Sequence, residues 1–228
     1  MSKYIDKIIQ YIISWIPTYY TFKPKILDFI EDLERKKAPI KSCIIGISKL
    51  PLNCLHPNIA HTALFLSDEK RYKLFEEKVG IIIEFGYYPP EKGEEKRKEE
   101  ENIKNGQVIY RYGKELGGLR YYTNNFKNFI DFFCDVGLVK LNIFPDNYMM
   151  FSYFIDKIAS ISEKKWIKSK NNGINFNSQD FIVDSIDILK PNYDKYIIKG
   201  KNSKVDENNI ENIIPDKIKK KLKKYEEE

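Results

Sequence analysis

The chain has 228 residues, 42% hydrophobic and 14% aromatic, which is enough for one domain with appendages and too apolar for global disorder. Charged residues make up 32%, the mean hydropathy is -0.50, and no run reaches the roughly 18 apolar residues of a membrane span, so a polytopic membrane protein is excluded. The net charge of +6 comes from lysines spread along the chain, in a composition rich in Ile, Asn and Tyr that matches AT-rich codon usage, and no nucleic-acid partner is expected.

Residues 4–16 place Tyr4, Ile5, Ile8, Ile9, Ile12, Ile13 and Ile16 near helical spacing, and Pro17 ends the pattern. No small-residue cleavage site follows this apolar run, so no secretory leader is expected. The helix reads first as packed on the domain and second as a peripheral membrane contact with Trp15 at the interface. A second helix is expected over Pro24 to Arg35, which makes residues 1–40 a helical N-terminal extension.

The domain proper is expected over residues 41–200. Cys43 to Ile47 is a strand-like apolar run, and His61 to Leu66 and Val79 to Tyr87 read as strands, with a charged loop or short helix between the last two. Residues 89–106 carry the run Glu94 to Glu101, almost without apolar side chains, and are read as a solvated hairpin loop. Gln107 to Tyr112 would then pair with Val79 to Tyr87 across that loop, and Gly117-Gly118 would turn the chain into Leu119 to Tyr122.

The second half is more helical. Helices are predicted over Asn125 to Val136 and Tyr148 to Ile161, with a strand at Val139 to Phe144 between them. Asn171-Asn172-Gly173 breaks the pattern, and a helix follows from Ser178 to Leu189, before Pro191. Residues 201–228 are a polar linker and a basic helix with Ile218, Leu222 and Tyr225 on one stripe. There is no internal repeat.

Three cysteines without paired spacing, Cys43, Cys54 and Cys134, point to free thiols in a reducing, cytoplasmic compartment. Cys54, His56 and His61 lie close together, but no second CxxC or HxxxH completes a zinc set, and neither metal nor cofactor is expected. No glycine-rich phosphate loop or GxSxG elbow is present. Of the two histidines, His56 precedes Pro57 in a turn-like stretch and His61 starts a strand, a position where an isolated histidine is ordinarily structural.

What raises His61 above that reading is Asn175-Phe176-Asn177-Ser178-Gln179-Asp180-Phe181, which opens an amphipathic helix. A hydroxyl or thiol in the first turn of a helix sits where unpaired backbone N–H groups converge. These lower a thiol's pKa and receive the oxyanion of an attacked carbonyl. Asp180 suits the positive end of the same helix dipole. By spacing alone Ser178 would be a plain N-cap serine.

The strand starting at His61, the next strand with Ile83-Glu84-Phe85-Gly86-Tyr87, and the late Asn177-Ser178-Gln179-Asp180-Phe181 resemble the circularly permuted branch of the papain-like, NlpC-type thiol hydrolases. That branch includes the PPPDE peptidases and the lecithin-retinol acyltransferase-like enzymes. Its late motif reads Asn-Cys-(Gln/Glu/Asn)-(His/Asp)-Phe, and Trp166 is similar to the Lys-Trp element that often precedes it. The resemblance spans roughly residues 59–189.

It implies an α+β papain-like fold with an antiparallel sheet packed on helices, one of them carrying the nucleophile. Position 178 would be the nucleophile, His61 the general base and Glu84 the polar residue that orients the imidazole. Asn177 and Gln179 would serve as oxyanion or substrate-positioning residues, beside the backbone N–H of Ser178. Alternation puts Ile82, Glu84 and Gly86 on one face of their strand, where Glu84 is either an interior carboxylate needing a partner or an edge-strand surface residue.

The activity implied is thiol hydrolysis of peptide or isopeptide bonds, including those of ubiquitin-like modifier conjugates, with acyl transfer or phospholipid hydrolysis as the runner-up. The departure is Ser178, serine where the family has cysteine, so the chain as written is expected to be inactive or very slow. An introduced Cys-to-Ser replacement is the leading reading; a natural loss that leaves a binding module and a working serine variant are the others. Among the cysteines, Cys134 reads as core, Cys54 as a loop residue and Cys43 as the start of an apolar run, none placed like a nucleophile.

Overall fold

The computed structural model describes residues 26–48, 60–70, 78–87, 103–104, 107–112, 117–133, 137–172, 176–197, 212 and 214–225. The helix expected at 4–16, the run at 94–101, Cys54, His56 and Cys134 lie outside them. In chain order the elements are α1 (Ile26–Arg35), β1 (Ser42–Ser48), β2 (His61–Ser67), β3 (Val79–Tyr87), β4 (Ile103–Lys104), β5 (Gln107–Tyr112) and β6 (Gly117–Asn125). Then follow α2 (Phe126–Phe133), β7 (Gly137–Ile143), α3 (Phe151–Asn171), α4 (Ser178–Leu189), β8 (Pro191–Ile197) and α5 (Asp216–Lys224).

The strands form one antiparallel sheet in the order β4-β5-β6-β3-β2-β1-β7-β8. The α+β class with an antiparallel sheet packed on helices is therefore as expected. The central strands β1, β2 and β3 are apolar on both faces, as strands covered from both sides must be. On one face Ile45, Leu64, Ile83 and Phe85 meet Phe154 and Ile158 of α3 and Phe181 and Ile182 of α4. Ile26 and Leu33 of α1 and Ile218 and Leu222 of α5 join that same core.

On the other face Ile44, Ala63, Phe65, Ile82 and Leu138 are covered by Phe126, Phe129 and Phe133 of α2. Gly46 lets α2 come this close: a Cβ added there would lie 2.7 Å from the rings of both Phe129 and Phe133. No described helix is long and apolar enough to cross a membrane.

Several expectations need correction. β5 does not pair with β3; β6 lies between them, with Glu84 opposite Arg120 in β3–β6 and Arg120 opposite Ile109 in β5–β6. The hairpin forms over the four-residue connection 113–116 rather than the long stretch 88–106, as loop-closure entropy and the preference for sequential neighbours favour. Gly117-Gly118 accordingly begins a nine-residue strand instead of turning the chain, and the stretch read as a loop contributes β4.

The helix expected to end at Ile161 runs to Asn171, carried on by helix-favouring Glu163, Lys164 and Lys165. Pro191, read as a stop, opens β8 at the sheet edge, where the first strand position tolerates its missing N–H.

Candidate active site

Helix α4 begins where its sequence dictates. The Asn177 Oδ1 accepts hydrogen bonds from the backbone N–H of Gln179 (2.9 Å) and of Asp180 (3.2 Å), and Asp180 Oδ2 accepts from the N–H of Asn177 (3.1 Å). This reciprocal capping box fixes Ser178 as the first helical residue. Its backbone N–H is one of those the helix itself leaves without a carbonyl partner.

Two contacts fasten this helix start to the beginning of β2. The buried Gln179 donates its Nε2–H to the Ala60 carbonyl at 3.2 Å, and the Thr62 N–H donates to Ser178 Oγ at 3.4 Å. Both lie where β2 has parted from β3: their pairing covers Ala63 to Leu66, whereas His61 and Thr62 pair with Ser48 and Ile47 of β1. The nucleophile position thus meets the backbone of Thr62, the residue next to the histidine, 116 positions away in sequence.

His61 and Glu84 share one sheet face. His61 Nε2 lies 3.6 Å from Glu84 Oε2, with the histidine part-exposed and the carboxylate only 3% exposed. His61 shares its face with Ala63 and Phe65, the face covered by α2, whereas the body of α4 packs on the opposite face with Leu64. Among the described residues no hydrogen bond joins the His61 ring to the Ser178 hydroxyl.

Glu84 is interior, not a surface carboxylate. Burial alone would push its pKa up, but the Arg120 guanidinium, His61 and the Tyr122 hydroxyl together hold it well below the usual carboxylate range. Arg120 Nη2 donates to Oε2 at 2.7 Å and the Tyr122 hydroxyl to Oε1 at 2.6 Å. Sequence reasoning missed both residues. The available signal was the alternation in Leu119-Arg120-Tyr121-Tyr122, which puts Arg120 and Tyr122 on one face, but only the β3–β6 register shows that this face carries Glu84.

The side chains of Asn177 and Gln179, expected near an oxyanion or substrate, are engaged in the cap and in the Ala60 contact. Trp166 packs against Phe85, ring centroids 5.6 Å apart, and lies over Gly117, where an added Cβ would be 2.3 Å from its indole. Its neighbour Lys165 pairs with Asp184 of α4, so this segment braces the helix that carries Ser178. Cys43 is fully buried and its thiol is pushed up to about 12 by burial, the opposite of an activated nucleophile.

Compared with known proteins, the chain matches no family model, no curated protein and no solved structure.

Proposed function

We propose that this chain is built as a thiol-hydrolase-like domain acting on peptide or isopeptide bonds, with position 178 as nucleophile, His61 as base and Glu84 as orienting carboxylate. The observation that carries the reading is the docking of the capped helix start onto β2. Ser178 Oγ sits on the Thr62 N–H, next in sequence to a histidine whose Nε2 faces a buried, ionised carboxylate. The resemblance to the permuted papain-like hydrolases supports the same assignment of roles.

With cysteine at 178, His61 would take the thiol proton and the thiolate would add to the scissile carbonyl, the oxyanion facing the N–H groups at the helix start. Collapse would expel the amine, protonated by the His61 imidazolium, and leave a thioester. Water, deprotonated by His61, would then release the carboxylic acid. With serine the same base faces a hydroxyl of far higher pKa, and turnover is expected to be very slow.

A second reading is a non-catalytic binding module on the same scaffold. It is favoured by the Ser178 hydroxyl being engaged with the Thr62 N–H rather than with His61.

The deciding experiment is iodoacetamide labelling of Ser178→Cys across pH, with and without His61→Ala, with peptide mapping to separate position 178 from the native cysteines. Fast labelling well below pH 8 that slows without His61 supports the hydrolase reading. Labelling that ignores His61 leaves the binding module.

A further inference from the structure

We propose that Arg120 and Tyr122 are positioning residues of this site, acting through Glu84 to hold His61 in its working state. The inference rests on the reading of His61 and position 178 given above and extends it by two residues of β6.

A carboxylate this buried is costly to keep charged unless its oxygens are met by donors, and without them it takes a proton. Glu84 is met on both oxygens: Tyr122 donates to Oε1 and Arg120 to Oε2, at 2.6 and 2.7 Å. Oε2 is also the oxygen that faces His61 Nε2 at 3.6 Å. The two β6 residues therefore fix the rotation of the carboxylate and leave one side of Oε2 turned to the imidazole.

The placement follows from the ladder. Arg120 stands directly opposite Glu84, and Tyr122, two residues on, shares its face opposite Ile82. The guanidinium is itself held, its carbon 5.1 Å from the centre of the Tyr122 ring. Among the described residues the titratable groups facing Glu84 are His61 from β2 and Arg120 and Tyr122 from β6, while α2 covers this sheet face with Phe126, Phe129 and Phe133. A chain of charge thus runs Arg120–Glu84–His61 across three adjacent strands and ends at the residue before Thr62, whose amide meets Ser178 Oγ.

The chemical consequence concerns the thiolate–imidazolium pair. An ionised Glu84 favours the imidazolium, whereas a neutral carboxyl does not. Without Arg120, burial is opposed less and Glu84 takes a proton more readily. Without the Tyr122 hydroxyl the carboxylate is free to rotate.

The test uses the full chain carrying Ser178→Cys, with iodoacetamide as probe and the labelled peptide quantified from pH 5 to 10. Arg120→Gln is expected to move the midpoint of labelling up by about one pH unit, about tenfold slower near pH 6, with an unchanged plateau at high pH. Tyr122→Phe should shift it the same way by severalfold, and Arg120→Lys should restore part of the loss. A residue that only braces the sheet would lower the unfolding midpoint and leave the pH profile in place, and that result, or a shift to lower pH, overturns the proposal. If Arg120→Gln does not fold, Tyr122→Phe, which keeps the ring, decides alone. Labelling indifferent to His61→Ala in the parent would remove the underlying reading and this proposal with it, whereas dependence on His61 without dependence on Arg120 or Tyr122 removes this proposal only.

Discussion

A charge inside a protein stands or falls with its partners, and Glu84 ties three strands together through its own. Glu84→Ala removes the carboxylate that Arg120, Tyr122 and His61 all face and is expected to cost about 3–5 kcal/mol, read from urea unfolding at pH 7. Because the folded-state pKa of Glu84 is depressed, its contribution is complete above the unfolded value of about 4.5 and is lost as pH falls below it. The gap in unfolding midpoint between wild type and Glu84→Gln should therefore hold steady from pH 7 to about 5 and narrow as pH falls further toward about 3, and a gap that stays constant throughout would refute the linkage. At the helix start, Asn177→Ala removes the acceptor for two backbone N–H groups and should cost about 1 kcal/mol. This helix start was legible in the sequence from its first-turn acid and the apolar pattern that follows, but the cap is Asn177 rather than Ser178. Arg120 and Tyr122 were not, because their meaning depends on which strand lies alongside.

Elements follow the same division. The strands at β1, β2 and β3 and the helix α4 announce themselves by local pattern, because burial on one or both faces imposes a period that a short window reveals. Sheet order does not: β6 takes the place beside β3 expected of β5, because its two opening glycines signal a turn rather than a strand. β8 was missed because proline ends helices more often than it begins strands, and its edge position is visible only in three dimensions. Glycine carries a complementary lesson in β1. Gly46→Ala would put a methyl against the rings of Phe129 and Phe133 at the interface of α2 with the sheet. It should destabilise by about 1–3 kcal/mol, measurable as a lower melting temperature with β-sheet circular dichroism retained.

Across the whole molecule, one core gathers α1, the sheet, α3, α4 and α5, and the last of these lies against the helix that carries Ser178. α5 is held both by apolar burial, through Ile218 and Leu222, and by charge, with Lys217 Nζ 2.7 Å from Asp180 Oδ1 and Lys221 on Asp187. The two kinds of contact differ in weight. Ile218→Ala, at a fully buried position, should cost about 2–5 kcal/mol, whereas Lys217→Ala breaks an exposed pair and should cost about 0–1 kcal/mol. Denaturant titrations of the two variants side by side check the ranking, and equal losses would contradict it.

The parting of β2 from β3 beyond Ala63 has one more consequence. The Thr62 amide is bonded to a side chain on a helix that comes 116 residues later. Its hydrogen therefore exchanges with solvent when α4 lifts from the sheet, even while the neighbouring ladder stays closed. In a deuterium-exchange spectrum that single amide is a built-in gauge of how tightly the helix is seated. It can be read in the protein as it stands, with serine at 178 and no substrate in hand.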